Sequence, residues 1–271
     1  IDLYPSSYFD CEDDIARLNL YYEEQSQSEQ AFTLINKSLP LWAEIADLNI
    51  DKIDISQGEL EKEDWSEKWK EFFHVEKISE RLVIKPSWEE YEASDSDVVV
   101  EIDPGMSVGT GNHGTTKACL QLLDRLTVDI TDSFLDMGCG SGILSMAASK
   151  LGVEKIDGFD YDENSVKIAN ENLILSKCPN VKLTLKNLYE IKPDFKYTLV
   201  IANILAPVLM DNVETIINSL SRVKKARLVL SGILHEQFPK VKEVFEFQGL
   251  ILIEQVQIDK WSTGLFKFAK L

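Results

Sequence analysis

The sequence predicts an α/β fold, with a mainly parallel sheet covered by helices on both faces and a small α+β domain before it. From about residue 98, short apolar runs alternate with helical stretches, which is typical of parallel strands joined by helical crossovers. The chain has 271 residues, of which 44% are apolar, and this supplies one full-size domain and a smaller one. We therefore expect domains at residues 1–57 and 98–271, with a linker at 58–97.

The N-terminal domain is predicted from three short segments. IARLNLYYE (15–23) and LNIDKIDIS (48–56) alternate apolar and polar residues in the manner of strands. Between them, SEQAFTLINKSL (28–39) has the spacing of a helix. Together they predict a β-α-β fragment.

The linker is predicted to begin with a helix and to continue as a strand. In EDWSEKWKEFF, four aromatic side chains recur at helical spacing: Trp65, Trp69, Phe72 and Phe73. An aromatic face of this kind usually packs in a core, so we expect it between the domains rather than on a ligand. ERLVIKPSWEE then predicts a strand that stops at Pro86, followed by the acidic loop EEYEASDSD.

The last domain is predicted from eight candidate strands and five helical stretches. The strands are VVVEID, SFLDMG, KIDGFD, VKLTL, YTLVIAN, ARLVLSG, LILIEQV and STGLFKFA. The helical stretches are TTKACLQLLDRL, GILSMAASKLG, ENSVKIANENLILS, PVLMDNVETIINSL and HEQFPKVKEVFEF. This order favours one open sheet with helices on both faces.

The negative charge is concentrated in the first part of the chain. Residues 1–100 hold 25 Asp and Glu against 9 Lys and Arg, a balance of −16, whereas the rest holds 21 against 19, a balance of −2. An acidic surface repels phosphate backbones and attracts basic partners, so we expect a basic protein partner and no direct nucleic-acid binding. The alternative is that the acidity only keeps the protein in solution.

Other features disfavour metal, disulfide and membrane roles. The four cysteines are scattered and form no CxxC pair, so neither a zinc site nor a disulfide framework is predicted: they are Cys11, Cys119, Cys139 and Cys178. No stretch approaches the roughly 18 apolar residues of a membrane helix, and IDLYPSSYFD has no signal-peptide pattern. We expect a soluble cytoplasmic protein without a metal.

The stretch FLDMGCGSG (134–142) predicts a ligand site where a strand ends and a helix begins. Glycines at this point allow a tight turn and let a ligand approach the backbone. The spacing is G-x-G-x-G, because Ile143 stands where a dinucleotide fingerprint has its third glycine, and no lysine follows as in a phosphate loop. A nucleoside without a phosphate is therefore favoured.

Asp160 ends the next candidate strand, 22 residues after Gly138. A carboxylate at this place can accept hydrogen bonds from both hydroxyl groups of a ribose. The alternative role for such an acid, capping the following helix, suits Asp162 better. Asp160 therefore predicts a ribose but does not identify the rest of the ligand.

These motifs together resemble those of a known family. D-x-G-x-G-x-G with the acid at the second strand end resembles the Rossmann-like S-adenosylmethionine-dependent methyltransferases. VEIDPGMSVGTGNHGTTKACLQLLD, VIANILAPVL and EDWSEKWKEFFHVEKISERLVIKPSWEE resemble the ribosomal protein L11 methyltransferases, the PrmA family. The resemblance implies S-adenosylmethionine as cofactor and methyl transfer to lysine side chains or the N-terminal amine of a basic ribosomal protein, above all L11.

The resemblance also implies which residues form the site. It implies that Thr116, Gly138, Asp160 and Asn203 contact the cofactor. From their positions we also expect Thr115, Asp136, Gly140, Gly142 and Tyr161 in the cofactor site, and Asn203, Leu205 and His113 as the catalytic residues. At the start of a helix, Thr115 and Thr116 can hold the methionine carboxylate, although Thr115 is also a candidate N-cap. Asp136 can pair with the cationic amino end of the cofactor.

Asn203 begins the NILA segment after the fourth strand of the methyltransferase pattern. Related methyltransferases carry NPPY here and bind a planar nitrogen, whereas NILA keeps only the Asn, which favours a flexible amine. The amine must be neutral to attack, and an apolar pocket lowers a lysine pKa. Asn203 and the carbonyls after it, including that of Leu205, are expected to orient the nitrogen.

The three histidines have different predicted roles. His113 in GTGNHGTT is either a polar contact to cofactor or substrate, or a loop histidine bonded to backbone. His74 and His235 are predicted to be structural.

Three other functions remain open at this point. The family's N-terminal domain is ferredoxin-like, and residues before 57 predict only a short or divergent version of it, so a related lysine methyltransferase with another protein substrate is one alternative. A non-catalytic cofactor-binding scaffold is the second. An RNA methyltransferase, the third, is disfavoured by the acidic charge.

Overall fold

The computed structural model describes residues 6–12, 15–21, 25–45, 53–57, 73–103, 114–127 and 132–270. The chain divides into two compact units, Ile1–Glu63 and Asp64–Leu271. Among the described residues, no helix is long and apolar enough to cross a membrane.

The described residues of the smaller unit form a β-hairpin and one helix. Strand β1 (Ser6–Glu12) pairs antiparallel with β2 (Ile15–Tyr21), and helix α1 (Gln25–Ile45) follows. The strand at 15–23 and the helix at 28–39 are thus confirmed. The strand expected over 48–56 is not confirmed, because its described part, residues 53–56, has no strand assignment.

The larger unit begins with a three-stranded sheet made from β3 (Glu76–Lys77), β4 (Leu82–Lys85) and β5 (Val98–Glu101). Strand β4 stops before Pro86, as predicted, since proline has no N–H to offer a ladder. The VVVEID strand, expected in the main sheet, pairs instead with β4 in parallel. Buried side chains of both strands belong to the same core cluster as the first helices of the main sheet, which the alternating pattern did not indicate.

The described part of the expected linker is integral to the core of this unit. Phe73, Ile78, Leu82 and Ile84 are buried in one cluster with the first helices of the main fold. Trp65, Trp69 and Phe72, the rest of the predicted aromatic face, lie outside the described residues.

The main sheet has seven strands in the order β11-β12-β10-β9-β6-β7-β8. The strands are β6 (Ser133–Met137), β7 (Lys155–Asp160), β8 (Val181–Leu185), β9 (Leu199–Asn203), β10 (Arg227–Leu234), β11 (Leu250–Ile258) and β12 (Trp261–Phe268). Strand β12 is antiparallel to both its neighbours, whereas β6 to β10 pair in parallel. The mainly parallel sheet is confirmed.

Helices cover both faces of this sheet. They are α2 (Gly114–Thr127), α3 (Ile143–Lys150), α4 (Glu163–Leu175), α5 (Ala206–Asp211), α6 (Val213–Ser219) and α7 (Phe238–Phe247). Buried side chains of α2, α3 and α4 form one core cluster, and those of α5, α6 and α7 form the other. The stretch expected as one helix after NILA is two short helices that meet at Asn212.

The strand order places a crevice at the carboxyl ends of the central strands. Strand β7, which follows β6 and α3 in the chain, pairs with β6 on one side, whereas β9 pairs with β6 on its other side. The connections after β6 and β9 therefore diverge, and open α/β sheets bind their ligands at such a point.

Candidate functional site

The turn after β6 is held open by glycines in left-handed backbone conformations. Gly138, Gly140 and Gly142 have φ angles of 74°, 51° and 81°. The N–H groups of Gly138 and Cys139 both donate to the carbonyl of Phe159 in β7, at 2.9 and 3.0 Å. Residues other than glycine rarely adopt these φ angles. The turn itself therefore explains the glycine pattern, as does the close approach of a ligand.

Asp160 closes this turn from the end of β7. The side chain is only 8% exposed. One carboxylate oxygen accepts from the N–H of Gly140 at 2.9 Å, and the other accepts from the N–H of Asp162 at 3.0 Å. A carboxylate has about four acceptor positions, so two remain for ligand hydroxyl groups. Asp162 caps α4 through the N–H groups of Asn164 and Ser165, as predicted.

Asp136 is a buried carboxyl with one unpaired oxygen. Its Oδ2 accepts from the hydroxyl of Ser145 at 2.7 Å, while Oδ1 has no hydrogen-bond partner among the described residues. Burial raises the pKa of Asp136 to about 7, an effect that the Ser145 bond reduces and the nearby Asp160 charge increases. A buried unpaired acceptor is costly. This oxygen next to the glycine turn suits a cationic ligand group, such as the ammonium group of S-adenosylmethionine.

The first turn of α2 meets the ends of β9 and β10. Thr115 and Thr116 are both buried, and Thr115 lies within the described helix rather than before it as an N-cap. The Nδ2 of Asn203 lies 3.4 Å from the Thr116 hydroxyl oxygen, to which it donates. The Ser231 hydroxyl donates to the carbonyl of Thr115 at 3.4 Å. The two threonines and Asn203 therefore lie close together, and their contacts with the cofactor stay a prediction.

Leu205 presents its side chain rather than its carbonyl. It is the N-cap residue of α5, and its carbonyl accepts from the N–H of Leu209 at 3.1 Å. The side chain is 66% exposed. The helix thus uses one lone pair of this carbonyl and leaves the other, so its role in orienting an amine stays a prediction.

The remaining predicted residues have different positions. Tyr161 follows Asp160 directly and is 78% exposed. His113 lies outside the described residues. His74 lies 2.6 Å from a Glu89 carboxylate oxygen, and both ring nitrogens of His235 lie within 2.8 Å of oxygen atoms of Ser262 and Asp259. The structural roles predicted for His74 and His235 agree with these contacts.

Two residues that support the site were not found from the sequence. Ser145 is the partner of Asp136 described above. Asn172 in α4 donates from Nδ2 to the Ser141 carbonyl at 3.2 Å and accepts from the Asp103 N–H at 3.0 Å. It thus joins the glycine turn to the end of the segment after β5. No sequence signal links residues 69 positions apart, so only the fold brings them together.

Metal and disulfide chemistry have no visible basis in the described part of the chain. Those residues contain no group of three His, Cys, Asp or Glu side chains that could hold a metal ion. Cys119, Cys139 and Cys178 are buried free thiols.

Comparisons with known proteins agree on one family. The family profile described as "Ribosomal protein L11 methyltransferase (PrmA)" matches residues 7–268. A ribosomal protein L11 methyltransferase of Ruminiclostridium cellulolyticum is 35% identical over 252 residues, which cover 92% of this chain and 78% of that protein. One of Staphylococcus carnosus is 36% identical over 263 residues, covering 96% and 82%.

A solved structure extends this similarity to the fold. The crystal structure of a ribosomal protein L11 methylase from Lactobacillus delbrueckii subsp. bulgaricus superposes with a TM-score of 0.65 at 28% sequence identity. The match covers 74% of this chain and all of that one. The fold described above is thus similar to that of this methylase.

Proposed function

The chain belongs to the ribosomal protein L11 methyltransferase family, and we propose that it methylates amino groups of ribosomal protein L11. The resemblance drawn from the sequence motifs is confirmed by this membership. The enzyme is an S-adenosylmethionine-dependent methyltransferase. The amino groups concerned, which are lysine side chains or the N-terminal amine, are the finer part of the proposal.

The residues around the glycine turn fit S-adenosylmethionine. Asp160 offers its free acceptor positions to the ribose, and the unpaired oxygen of Asp136 suits the ammonium group. Thr115 and Thr116 are proposed to hold the carboxylate, and the exposed Tyr161 ring to lie along the base. When bound, the cofactor supplies a methyl group already activated on a sulfonium.

The position of Asn203 is the single observation that supports an amine as the group that accepts the methyl. Its Nδ2 is directed to Thr116, so its amide oxygen is the group left to accept a hydrogen bond from an incoming N–H. An amide oxygen orients a neutral amine without removing its proton. The chain therefore has to align the nitrogen and keep it uncharged rather than supply a strong base.

Leu205 completes this acceptor side in the proposal. Leu205 lies two residues after Asn203 in the chain. Its exposed side chain offers an apolar contact for the methylene stem of a lysine. Apolar surroundings disfavour the ammonium form and so lower the lysine pKa. The neutral amine is the form that can attack the methyl group.

The acidic N-terminal part is proposed to recruit the basic substrate. Its balance of −16 over residues 1–100 is nearly all of the charge of the molecule. Opposite charges raise the association rate of two proteins more than they raise the final affinity. The proposal places the chain in the cytoplasm, where ribosomal proteins are made.

Mass spectrometry tests the substrate and the acceptor group together. The full chain is incubated with isotope-labelled S-adenosylmethionine and an equimolar mixture of purified ribosomal proteins. We expect label on L11 above all, and fragment spectra that place it on lysine side chains or the N-terminal amine. Label on another protein alone would favour the related alternative, and the absence of label with normal cofactor binding would favour a scaffold.

Salt dependence tests the role proposed for the acidic part. Exposed charges are screened over about 10 Å at 0.1 M salt and about 3 Å at 1 M. We expect kcat/KM for L11 to fall as salt rises, while cofactor affinity, set by local hydrogen bonds, changes little. If kcat/KM does not change with salt, the acidic residues contribute only to solubility.

A further inference from the structure

Strand β10 contains an irregularity next to the NILA segment. Its pairing with β9 ends where Ser231 lies opposite Asn203, and its register with β12 shifts between Leu230 and Ile233. Gly232, inside this shift, has a φ angle of 80°. The irregularity places the Gly232 backbone directly beside the residue that follows Asn203.

Gly232 lies against the main chain of Ile204. A Cβ atom built on Gly232 would lie 2.8 Å from the carbonyl carbon and 3.0 Å from the nitrogen of Ile204, and still closer to its carbonyl oxygen. Backbone atoms cannot move aside as the end of a flexible side chain can. Only glycine therefore permits this approach of β10 to NILA.

The side chain of Ile204 faces the glycine turn after β6. Its Cγ2 lies so close to Gly138 that a Cβ atom there would overlap with it. Ile204 thus fills the space between the proposed cofactor turn on one side and the β10 irregularity on the other. The proposed acceptor residues Asn203 and Leu205 are its two neighbours in the chain.

We propose that Gly232 and Ile204 are positioning residues that set the distance between the acceptor segment and the cofactor turn. The side chain of Ile204 is the spacer, which packs on Gly138. The main chain of Ile204 packs on Gly232, which limits how far the segment can move away from the cofactor turn. Displacement of this segment moves Asn203 away from the line of methyl transfer, while the glycine turn and Asp160 still bind the cofactor. The inference rests on the proposed methyltransferase function and deepens it.

The test compares alanine substitutions at three glycines with similar backbone angles. Gly152 and Gly249 have φ angles of 92° and 89°, and a Cβ atom on either would meet nothing within 4 Å. Gly152→Ala and Gly249→Ala therefore introduce the same backbone strain as Gly232→Ala, without the clash. All three variants are measured for melting temperature, cofactor affinity, and single-turnover methylation of L11 at saturating cofactor and substrate.

We expect Gly232→Ala to lower the single-turnover rate by about 10², since a misplacement of 1 Å has effects of this size. Cofactor affinity should change little, and both control variants should keep the wild-type rate. A Gly232→Ala rate equal to that of the controls would overturn the proposal. So would equal losses in all three variants, which would show backbone strain alone. Wild-type methylation of L11 in the same assay tests the proposed function separately.

A second set of variants decides the matter if Gly232→Ala does not fold. Ile204→Ala removes the spacer, and Val208→Ala removes a comparable, partly buried side chain from the same core cluster. We expect both to lose stability but only Ile204→Ala to lose rate, by about tenfold or more. Equal rates for the two would contradict the role of Ile204.

A double substitution separates the two glycine contacts. The overlap at Gly138 involves the Ile204 side chain, whereas that at Gly232 involves its main chain. Adding Ile204→Ala should therefore partly restore a Gly138→Ala variant and leave a Gly232→Ala variant unrestored. Restoration of both, or of neither, would contradict this geometry.

Discussion

The two edges of the seven-stranded sheet use their polar groups in opposite ways. At the carboxyl edge, Asp136 keeps an unpaired oxygen and Leu205 and Tyr161 are exposed. At the amino edge, most of the polar groups are paired with each other, although the buried hydroxyl of Ser176 has no hydrogen-bond partner among the described residues. The N–H of Ser133 donates to the Thr198 hydroxyl at 3.2 Å, and the N–H of Thr198 donates to the Ser133 hydroxyl at 3.1 Å.

Other contacts at the amino edge follow the same rule. The Tyr197 hydroxyl donates to Asp157 at 2.8 Å, and the ammonium of Lys225 lies 2.6 Å from an Asp132 oxygen. Paired groups add stability, whereas unpaired buried groups and left-handed backbone reduce it and tend to cluster at functional sites. The same strands thus end in a stabilising edge and a functional edge, and substitutions at the two ends should have different effects.

The largest difference is expected for Asn203→Ala at the functional edge. Loss of the amide removes the group proposed to orient the amine, so we expect kcat to fall by about 10² or more. Cofactor affinity should fall less, because the glycine turn and Asp160 remain. Steady-state kinetics and calorimetric titration of cofactor measure the two quantities. Equal losses in both would make Asn203 a cofactor residue only.

Two acids on β7 allow a matched comparison of the edges. Asp160 lies at the carboxyl end of β7, and Asp157 near the amino end bonds to Tyr197. Asp160→Ala should weaken cofactor binding by roughly 1.5 to 3 kcal/mol, the range for a hydrogen bond to a charged group. Asp157→Ala should lower the melting temperature and leave cofactor affinity unchanged. Cofactor affinity that is the same in both variants would remove Asp160 from the site.

The functional edge was largely predictable because parallel strands end together. SFLDMG, KIDGFD and YTLVIAN each predict a strand, and because these strands are parallel neighbours, Asp136, Asp160 and Asn203 lie toward one edge of the sheet. The glycines pointed to a turn because few other residues adopt its angles. Local pattern and strand direction were sufficient for these residues.

Other features depend on pairings that sequence does not carry. VVVEID has the pattern of a buried strand, but the pattern does not say which sheet it joins, and β5 pairs with β4. The ARLVLSG pattern predicted a strand but not the register shift that brings Gly232 to Ile204. Ser145 and Asn172 are polar residues in helices. The sequence alone does not distinguish them from the polar residues on the exposed surface of a helix.

A pH dependence of cofactor affinity is expected at the functional edge. With a pKa of about 7, Asp136 is partly protonated near neutrality, whereas a bound cation favours its charged form. Affinity should therefore rise with pH up to about 7, by at most about tenfold per unit, and then level off. Calorimetry in buffers of different ionisation enthalpy should detect proton release on binding below that pH.

The Asp136→Asn variant is the control for this pH dependence. It should bind more weakly and with an affinity that no longer varies with pH in this range. The raised pKa also makes the free energy of unfolding of the wild type fall as pH rises from about 4 to about 7, because the unfolded carboxyl ionises at its ordinary value while the folded one keeps its proton. A wild-type affinity that is flat with pH would contradict the pairing of Asp136 with a cation.

The smallest effect is expected at the stabilising edge, from Tyr197→Phe. The substitution removes only the hydroxyl that donates to Asp157, and the buried ring keeps its edge-on contact with Phe195. A single hydrogen bond contributes about 1 kcal/mol, which corresponds to a melting temperature lower by about 2 to 4 °C in a unit of this size. Cofactor affinity and kcat should match the wild type, because Tyr197 precedes β9 and Asn203 ends it. A loss of turnover that exceeds the loss of folded protein would show that the two edges are coupled, and the division between a stabilising and a functional edge would then be wrong.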